Sequence, residues 1–538
     1  MADISRQTSD SSSPFADKNE LTQGVTQVQT KEPVITADGR QILQLEDAFE
    51  KTGYAFSLKR KWWILTVVAL CQTSMNYNAA VYSNAVSPLN DYYHITNARH
   101  GMIAFLVTYA FGCELWAPWS EEIGRWPVMQ LSLFLVNLTQ ILAGASTSWN
   151  QVLIARVLGG LFSAGGSVTL GMVADMFSAD EQSHAVLWVS LWSCLGSVIG
   201  GICGGPIEHY LPWRWNFWIQ LIFGAVVQAI HAFTVPETRA TIMLDEEAKK
   251  RRMQNPSANI YGPNEIRPRK ERFSMKEILA TMWRPYYMLM TEPIVLFLSL
   301  LSGFSDALIF SFLESYGYVF KQWNFNPSQF GLAMIPLLIG YVLSYFSFFP
   351  VIKRQNWKRN NGRGEELTSE SRLWWLLWIV PLLPIGILGG AFVSTGPPLP
   401  WIAPLLFSVL IGMANYAIYY ATIDYMVAAY GGKYSASATG GNGFARDFLA
   451  GMCALYTGPM YKTLKPKMSG LLLFGVSFVV CIPVYVIYWK GPQIRKRSKM
   501  AQEVADGEEQ RAAEKARDAH LQQDRADQHQ EGLKISMA

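Results

Sequence analysis

Stretches of about 20 mostly apolar residues, the length a helix needs to cross a bilayer's hydrocarbon core, recur along this chain between short polar segments. They fall at 62–86, 101–119, 127–146, 151–177, 185–206 and 217–235. After a long polar gap they resume at 294–316, 330–352, 373–393, 401–425, 435–457 and 469–489. Inside hydrocarbon a backbone has to satisfy its own hydrogen bonds, so each stretch is predicted to be a helix. The pattern predicts an all-α polytopic membrane protein, with twelve transmembrane helices in two six-helix bundles. The expected divisions are a disordered tail (1–58), a first bundle (59–235), a linker (236–291), a second bundle (292–490) and a second tail (491–538).

Composition agrees. Of 538 residues, 50% are hydrophobic and only 16% charged, against about 25% in a soluble domain. Residues 1–50 are rich in Ser, Thr, Gln and acids, a composition that cannot bury a core. The segment after Met500 reads as a solvated helix at most.

The net charge of +4 hides an uneven distribution. Cations gather at Lys59–Arg60–Lys61, between Lys249 and Arg284, between Lys353 and Arg363, and between Lys490 and Lys499. If the spans alternate, all four groups share one side, and the positive-inside rule puts both termini in the cytosol. These clusters match anionic lipid headgroups rather than nucleic acid.

Several chemistries are excluded. The six cysteines form no CxxC pair and no HExxH is present, so no metal site is expected. The pair Gly432-Lys433 is followed by Tyr434, so a phosphate-binding loop lacks its Ser/Thr. No cofactor and no enzymatic centre are expected, and transport would draw on a gradient.

Three segments carry candidate chemistry. The loop Ala117-Pro118-Trp119-Ser120-Glu121-Glu122-Ile123-Gly124-Arg125-Trp126-Pro127 places Glu121, Gly124 and Arg125 where a charge-assisted clamp could join helix ends. Arg156, within Arg156-Val157-Leu158-Gly159-Gly160, puts a charge inside an apolar span, where it is costly and expected to face a bundle interior. Gly196, Gly200, Gly204 and Gly205 space small residues by three and four along the fifth span, allowing close helix approach.

Together these segments resemble the major facilitator superfamily, and within it the fungal drug:proton antiporter family of twelve spans. The loop is similar to that family's motif A, with Glu121 as its acid. Arg156–Gly160 is similar to motif B, whose arginine the family associates with proton transfer. Gly196–Gly205 is similar to the antiporter motif C. Ala117 stands where motif A has a glycine, Trp126 replaces a basic residue, and Gly201 replaces the proline of motif C. The resemblance spans roughly residues 60 to 490.

It implies an efflux pump of the plasma membrane, exporting a drug, toxin or secondary metabolite in exchange for protons and acting as a monomer. Alternatives are an uptake carrier for a polyamine or vitamin-like solute, or a membrane sensor that does not transport.

In the second half, Asp306 is a candidate proton carrier beside Arg156 and Asp447. Arg446 and Asp447 are adjacent on a helix, so they are expected to have different partners. Tyr416 and Tyr420 are candidates to stack on a planar ligand. Asn76 and Asn78 are expected near the midplane of the first span, bonding solute or neighbouring helices.

Overall fold

A computed structural model describes residues 39–178, 181–266, 274–363 and 367–507, with the side chains of 432 and 433 excepted. The expected disorder of 1–38 and the end of the second tail, 508–538, lie outside the described residues. The chain forms two compact units.

The smaller unit combines 39–55 with 240–266. A strand at Gln41–Ile42 pairs in parallel with Ile260–Tyr261. Leu43, Ala48, Leu244 and Ala248 bury a small core against Ile260. The helix Ala240–Gln254 is tied by Arg252, whose guanidinium makes two bonds of 2.8 and 2.7 Å to Glu265. Thus the end of the first tail is ordered, contrary to expectation. A two-residue strand and a handful of core side chains lie below what composition can signal.

The larger unit holds the spans. Among the described residues, ten helical stretches are long and apolar enough to cross a bilayer. In the first half they are α2 (His100–Glu122), α3 (Arg125–Gly144), α4 (Trp149–Met176), α5 (Gln182–Tyr210) and α6 (Trp215–Thr234). The second half has α7 (Pro293–Phe320), α8 (Pro327–Asn360), α9 (Ser369–Val393) and α10 (Ile402–Gly431). The tenth stretch, Tyr434–Arg495, runs for 62 residues, about three times what one crossing needs. It breaks at Lys465, whose φ is 61°, into α11 (434–464) and α12 (466–495).

The twelfth helix is α1 (Leu58–Val81), capped by Ser57, whose Oγ accepts from the Arg60 N–H. It is less apolar than the others because of Gln72, Thr73, Ser74, Asn76 and Asn78, and each of these finds partners on neighbouring helices. Thr73 Oγ1 bonds the Trp192 carbonyl, Gln220 bonds Ser74, and Gln72 bonds Tyr109. All twelve predicted spans are therefore helical.

Polarity is inverted relative to a soluble protein. On α3 the exposed face carries Leu131, Phe134, Leu138 and Ile141, while Ser132, Thr139 and Gln140 are buried. Hydrocarbon solvates the outside, and polar side chains bond one another within. Within the halves, α1 packs on α5 and α6, and α2 on α4. Across them, α5 meets α8 and α2 meets α11.

Candidate functional site

Where the halves meet at mid-depth, a cavity is lined by Asn76 of α1, Tyr109 of α2, Ser193 and Ser197 of α5, Asp306 of α7, Tyr419 of α10, and Arg446 and Asp447 of α11. Gly303 of α7 makes this possible. A Cβ there would lie 2.6 Å from Leu449 Cδ1 and 2.9 Å from the Ala445 carbonyl. Without that side chain α11 closes on α7, one turn from Asp306.

Arg446 Nε and Nη2 each donate to Asp447 Oδ1 at 3.1 Å, and Asp306 Oδ2 lies 4.0 Å from Nε. The expectation of separate partners for Arg446 and Asp447 is therefore corrected. The arginine side chain is long enough to fold back on its neighbour, which the face-to-face spacing rule for short side chains does not cover. The Arg446 guanidinium also stacks 4.7 Å from the Tyr419 ring. Tyr419 O–H bonds Ser193 Oγ at 3.2 Å, and Asn76 Nδ2 bonds the same oxygen at 3.0 Å. A polar chain thus runs from α1 through α5 and α10 to the ion cluster.

Arg156 lies elsewhere. It is fully buried between the rings of Tyr82 and Phe105, 4.4 and 4.1 Å from their centroids. Its Nη1 donates to Asn78 Oδ1 at 2.9 Å and its Nε to the Gly101 carbonyl at 3.3 Å. It does not line the cavity, and its partners are neutral, so the structure does not bring Arg156 together with the other two proton-coupling candidates, Asp306 and Asp447. Asn78 is its hydrogen-bond acceptor rather than a cavity residue.

In the loop between α2 and α3, Arg125 is buried and donates from Nε to Asp175 Oδ2 at 2.9 Å and from Nη1 to Ser120 Oγ at 2.6 Å. Arg239 approaches the other Asp175 oxygen at 3.5 Å. Glu237 accepts from the first two N–H groups of α3, those of Arg125 and Trp126, at 2.9 and 3.0 Å. It thereby caps orphan donors at the positive end of the helix dipole. Gly124 has φ +116°, and a Cβ there would lie 2.5 Å from Glu237 Oε2. Glu121 is exposed. The clamp is therefore Arg125 with Asp175, and Glu121 is corrected to a surface residue. The lone acid interrupting the apolar end of the fourth span was the available signal.

The small residues of α5 serve two faces. Gly196 and Gly200 pack on α1, where Cβ atoms would come within 2.7 Å of the Thr73 carbonyl and 2.8 Å of Ala80 Cβ. Gly204 packs just beyond the end of α1, against Asn84. Gly201 and Gly205 face the other half. A Cβ at Gly205 would lie 2.5 Å from the Pro327 carbonyl and 2.9 Å from Gly331 Cα.

Tyr416 and Tyr420 also join the halves rather than line the cavity. Tyr416 is buried and donates to the Leu187 carbonyl at 2.8 Å. Tyr420 packs edge-on against Phe348 of its own half, with centroids 4.8 Å apart, and its hydroxyl reaches Ser183 of α5 in the other half through a hydrogen bond. Nearby, Arg372 holds Asp424 at 2.8 Å and Ser183 of α5 at 3.1 Å. Glu292 is not solvated at a surface, as its position suggests, but buried and bonded by Tyr430 O–H at 3.1 Å.

The halves are thus in contact at both ends. At the end carrying the Lys/Arg clusters, the contacts are those of Tyr416 and Arg372. At the opposite end, they are Gly205 with Gly331 and an ion pair of Arg99 with Glu314 at 3.6 Å. Between them the cavity is about 20 Å³. That is room for about one water, far below the several hundred Å³ of a site for a drug-sized solute. The conformer is closed, and solute entry requires the halves to part.

A family model described as Major Facilitator Superfamily matches residues 66–455. The transporter paaT of Penicillium rubens is 30% identical, over 82% of this chain and 80% of its own length. The protein named probable drug/proton antiporter YHK8 of Saccharomyces cerevisiae is 28% identical, over 86% and 91%. Among solved structures, the proton:xylose symporter XylE superposes with a TM-score of 0.54 at 16% identity, over 81% of this chain and 96% of that one. This likeness shows the shared fold. The chain belongs to the major facilitator superfamily and is a multi-pass membrane transporter, not an enzyme.

Proposed function

We propose that this transporter exchanges protons for a small organic solute, favouring cations, and exports that solute across the plasma membrane. Both termini and the basic helix ends then lie in the cytosol, and the protein works as a monomer.

The observation that carries the reading is the charge of the central cluster. Asp306 and Asp447 face one cation, Arg446, so the fully ionised cluster holds one uncompensated negative charge. Such a charge at depth in a bilayer is costly. A proton on Asp306, the acid farther from Arg446, removes it, and so does a cationic solute beside it. One charge deficit that either species can fill, but not both, is the physical basis of exchange. Tyr419 and Phe310, which also lines the cavity, offer rings to a bound cation. Outward direction is supported by the motif resemblance and by the drug/proton antiporter among the relatives.

The test uses proteoliposomes and a fluorescent organic cation such as ethidium. An imposed pH gradient should drive accumulation, and Asp306→Asn should abolish the pH-driven component while leaving downhill movement. Accumulation indifferent to a protonophore, or an Asp306→Asn variant still driven by the gradient, refutes the reading.

A further inference from the structure

Glu114 lies in the second half of α2, and neither the central cluster nor the Arg125 clamp uses it. Its side chain is 5% exposed. No hydrogen bond or ion pair joins it among the described residues, and no charged group acts on it there. It presses against the backbone of α11. A Cβ at Gly440 would lie 2.5 Å from Glu114 Oε1 and 3.2 Å from both the carboxyl carbon and Oε2. Since α2 belongs to the first half and α11 to the second, this contact closes the seam between them toward the basic end.

The surroundings are apolar. Phe111, one turn before Glu114, packs 5.1 Å from Phe444 of α11 and 6.2 Å from Tyr286 of the helix Met275–Thr291. Gly441 leaves room for the Pro285 carbonyl of that helix, which its Cβ would approach to 2.9 Å. On α4, Leu161 and Ala164 meet α2 at Gly112. The titratable neighbours are Tyr286 and Cys113. On α11, Arg446 and Asp447 are bonded to each other, and Arg284 lies against the Tyr434 ring at 5.9 Å.

An ionised carboxylate in this position would have neither a donor nor a cation, so the closed seam accommodates the neutral acid. The ionised form needs more water than this burial admits, and parting of α2 and α11 supplies it. We propose that Glu114 is a second proton-binding site of the transport cycle, which ties opening of the basic-end seam to loss of its proton. The proton leaves to and returns from the same side, so Glu114 gates the seam while the central cluster holds the transported proton. The inference rests on the exchange reading above for its place in the cycle.

The test measures a distance rather than flux. Spin labels at Ile123→Cys and Ala436→Cys report on the ends of α2 and α11. Among the native cysteines Cys203 is half-buried and Cys194 lines the cavity, so the labels are placed on a background with both replaced by Ser. In lipid nanodiscs without solute, the distance should lengthen as pH rises from about 5 to about 9. Glu114→Gln should abolish that shift and stay short, whereas Glu114→Asp should keep a shift.

Gly440→Leu, whose side chain fills more space than a turn of the Glu114 carboxyl can free, should lengthen the distance already at the acid end. This keeps the idea testable if Glu114→Gln does not fold. A wild-type distance that does not move with pH overturns the proposal, as does a Glu114→Gln or Gly440→Leu variant that behaves as wild type. If seam opening depends on Glu114 but proteoliposomes show no exchange, only the exchange reading fails. Exchange with a seam indifferent to Glu114 removes only this one.

Discussion

Gly205→Ala and Gly200→Ala add the same methyl group to the same helix, yet they should have opposite consequences. At Gly205 the new Cβ lies 2.5 Å from the Pro327 carbonyl, where ordinary contact begins at 3.4 Å, so 3.4 − 2.5 = 0.9 Å has to be found. Both obstacles, the Pro327 carbonyl and Gly331 Cα, are backbone. Pro327 also opens a helix fixed by the Asn326–Gln329 capping box, so no rotamer change relieves the overlap and α5 and α8 have to separate.

Overpacking of this kind costs about 1–3 kcal/mol. The strain falls only on conformers in which the halves touch at this end. The population open on that side should therefore rise about 5- to 150-fold, taking RT as about 0.6 kcal/mol. At Gly200 the obstacles are Ala80 Cβ at 2.8 Å and the Tyr77 carbonyl at 3.0 Å. Both belong to the same half, so the strain follows the fold through every conformer and lowers stability instead.

Cys194 lines the cavity and is 8% exposed. In a Cys203→Ser background its labelling by an impermeant maleimide, added on the side away from the basic clusters, should accelerate in Gly205→Ala and not in Gly200→Ala. Thermal unfolding in detergent should show the reverse ranking. Equal labelling rates, or a Gly205→Ala protein that is destabilised without being opened, refute the division of α5 into a moving face and a fixed one.

Arg125→Ala leaves Asp175 buried, with the 3.5 Å contact to Arg239 as its remaining ion pair among the described residues, and should lower stability by about 3 kcal/mol. Unfolding that is unchanged within about 0.5 kcal/mol would deny the clamp. In the smaller unit, burial tends to raise the carboxyl of Glu265, but hydrogen bonds from Arg252 and from the Gly262 N–H outweigh it and hold the group below its ordinary value of 4.5. A depressed carboxyl contributes stability that is present above the unfolded value and lost as pH falls through the folded one. Hydrogen-exchange protection of 240–266, corrected for intrinsic rate, should therefore hold from neutral pH down to about 4.5 and fall below that. Arg252→Ala should weaken protection already at neutral pH, and protection unaltered by that change would refute the account.

Spans were legible because a bilayer imposes a length and a polarity on each crossing. Even α1, the most polar, kept its apolar register around Asn76 and Asn78. Depth was legible too: Asp306, Arg446 and Asp447 stood out as charges inside apolar runs. Pairing was not. Arg156 and Asn78 are 78 residues apart, and nothing in either segment specifies the other. The acid for Arg125 was expected nearby in sequence, yet Asp175 reaches it from the end of α4.

Tyr416, Tyr419 and Tyr420 show the same limit within a single turn. Helical rotation of about 100° per residue sends Tyr419 to the cavity and its two companions to contacts between the halves. Which of the three faces solute is set by how α10 is rotated against α5, a property of the assembled unit. Glu114, an acid within the second span, was missed from sequence, and its consequence depends on a bare glycine 326 positions along the chain.

What closes each end is small compared with what holds each half. At one end stand the partly exposed Arg99–Glu314 pair and the Gly205–Gly331 contact. Such an ion pair contributes about 1 kcal/mol or less. At the other stand the Tyr416 and Arg372 hydrogen bonds, each about 1 kcal/mol net, and the Glu114 contact. With only a few kcal/mol at either end, the difference between inward and outward conformers is smaller still. A ligand that prefers one conformer by about 5.5 kcal/mol would carry the population almost entirely across, and a single uncompensated charge at this depth can supply a difference of that order. On the exchange reading proposed above, a proton on Asp306 or Glu114 would be enough to decide which end opens. Strengthening either seam, for instance by converting Arg99–Glu314 into a shorter, buried pair, should slow transport without altering what the cavity binds.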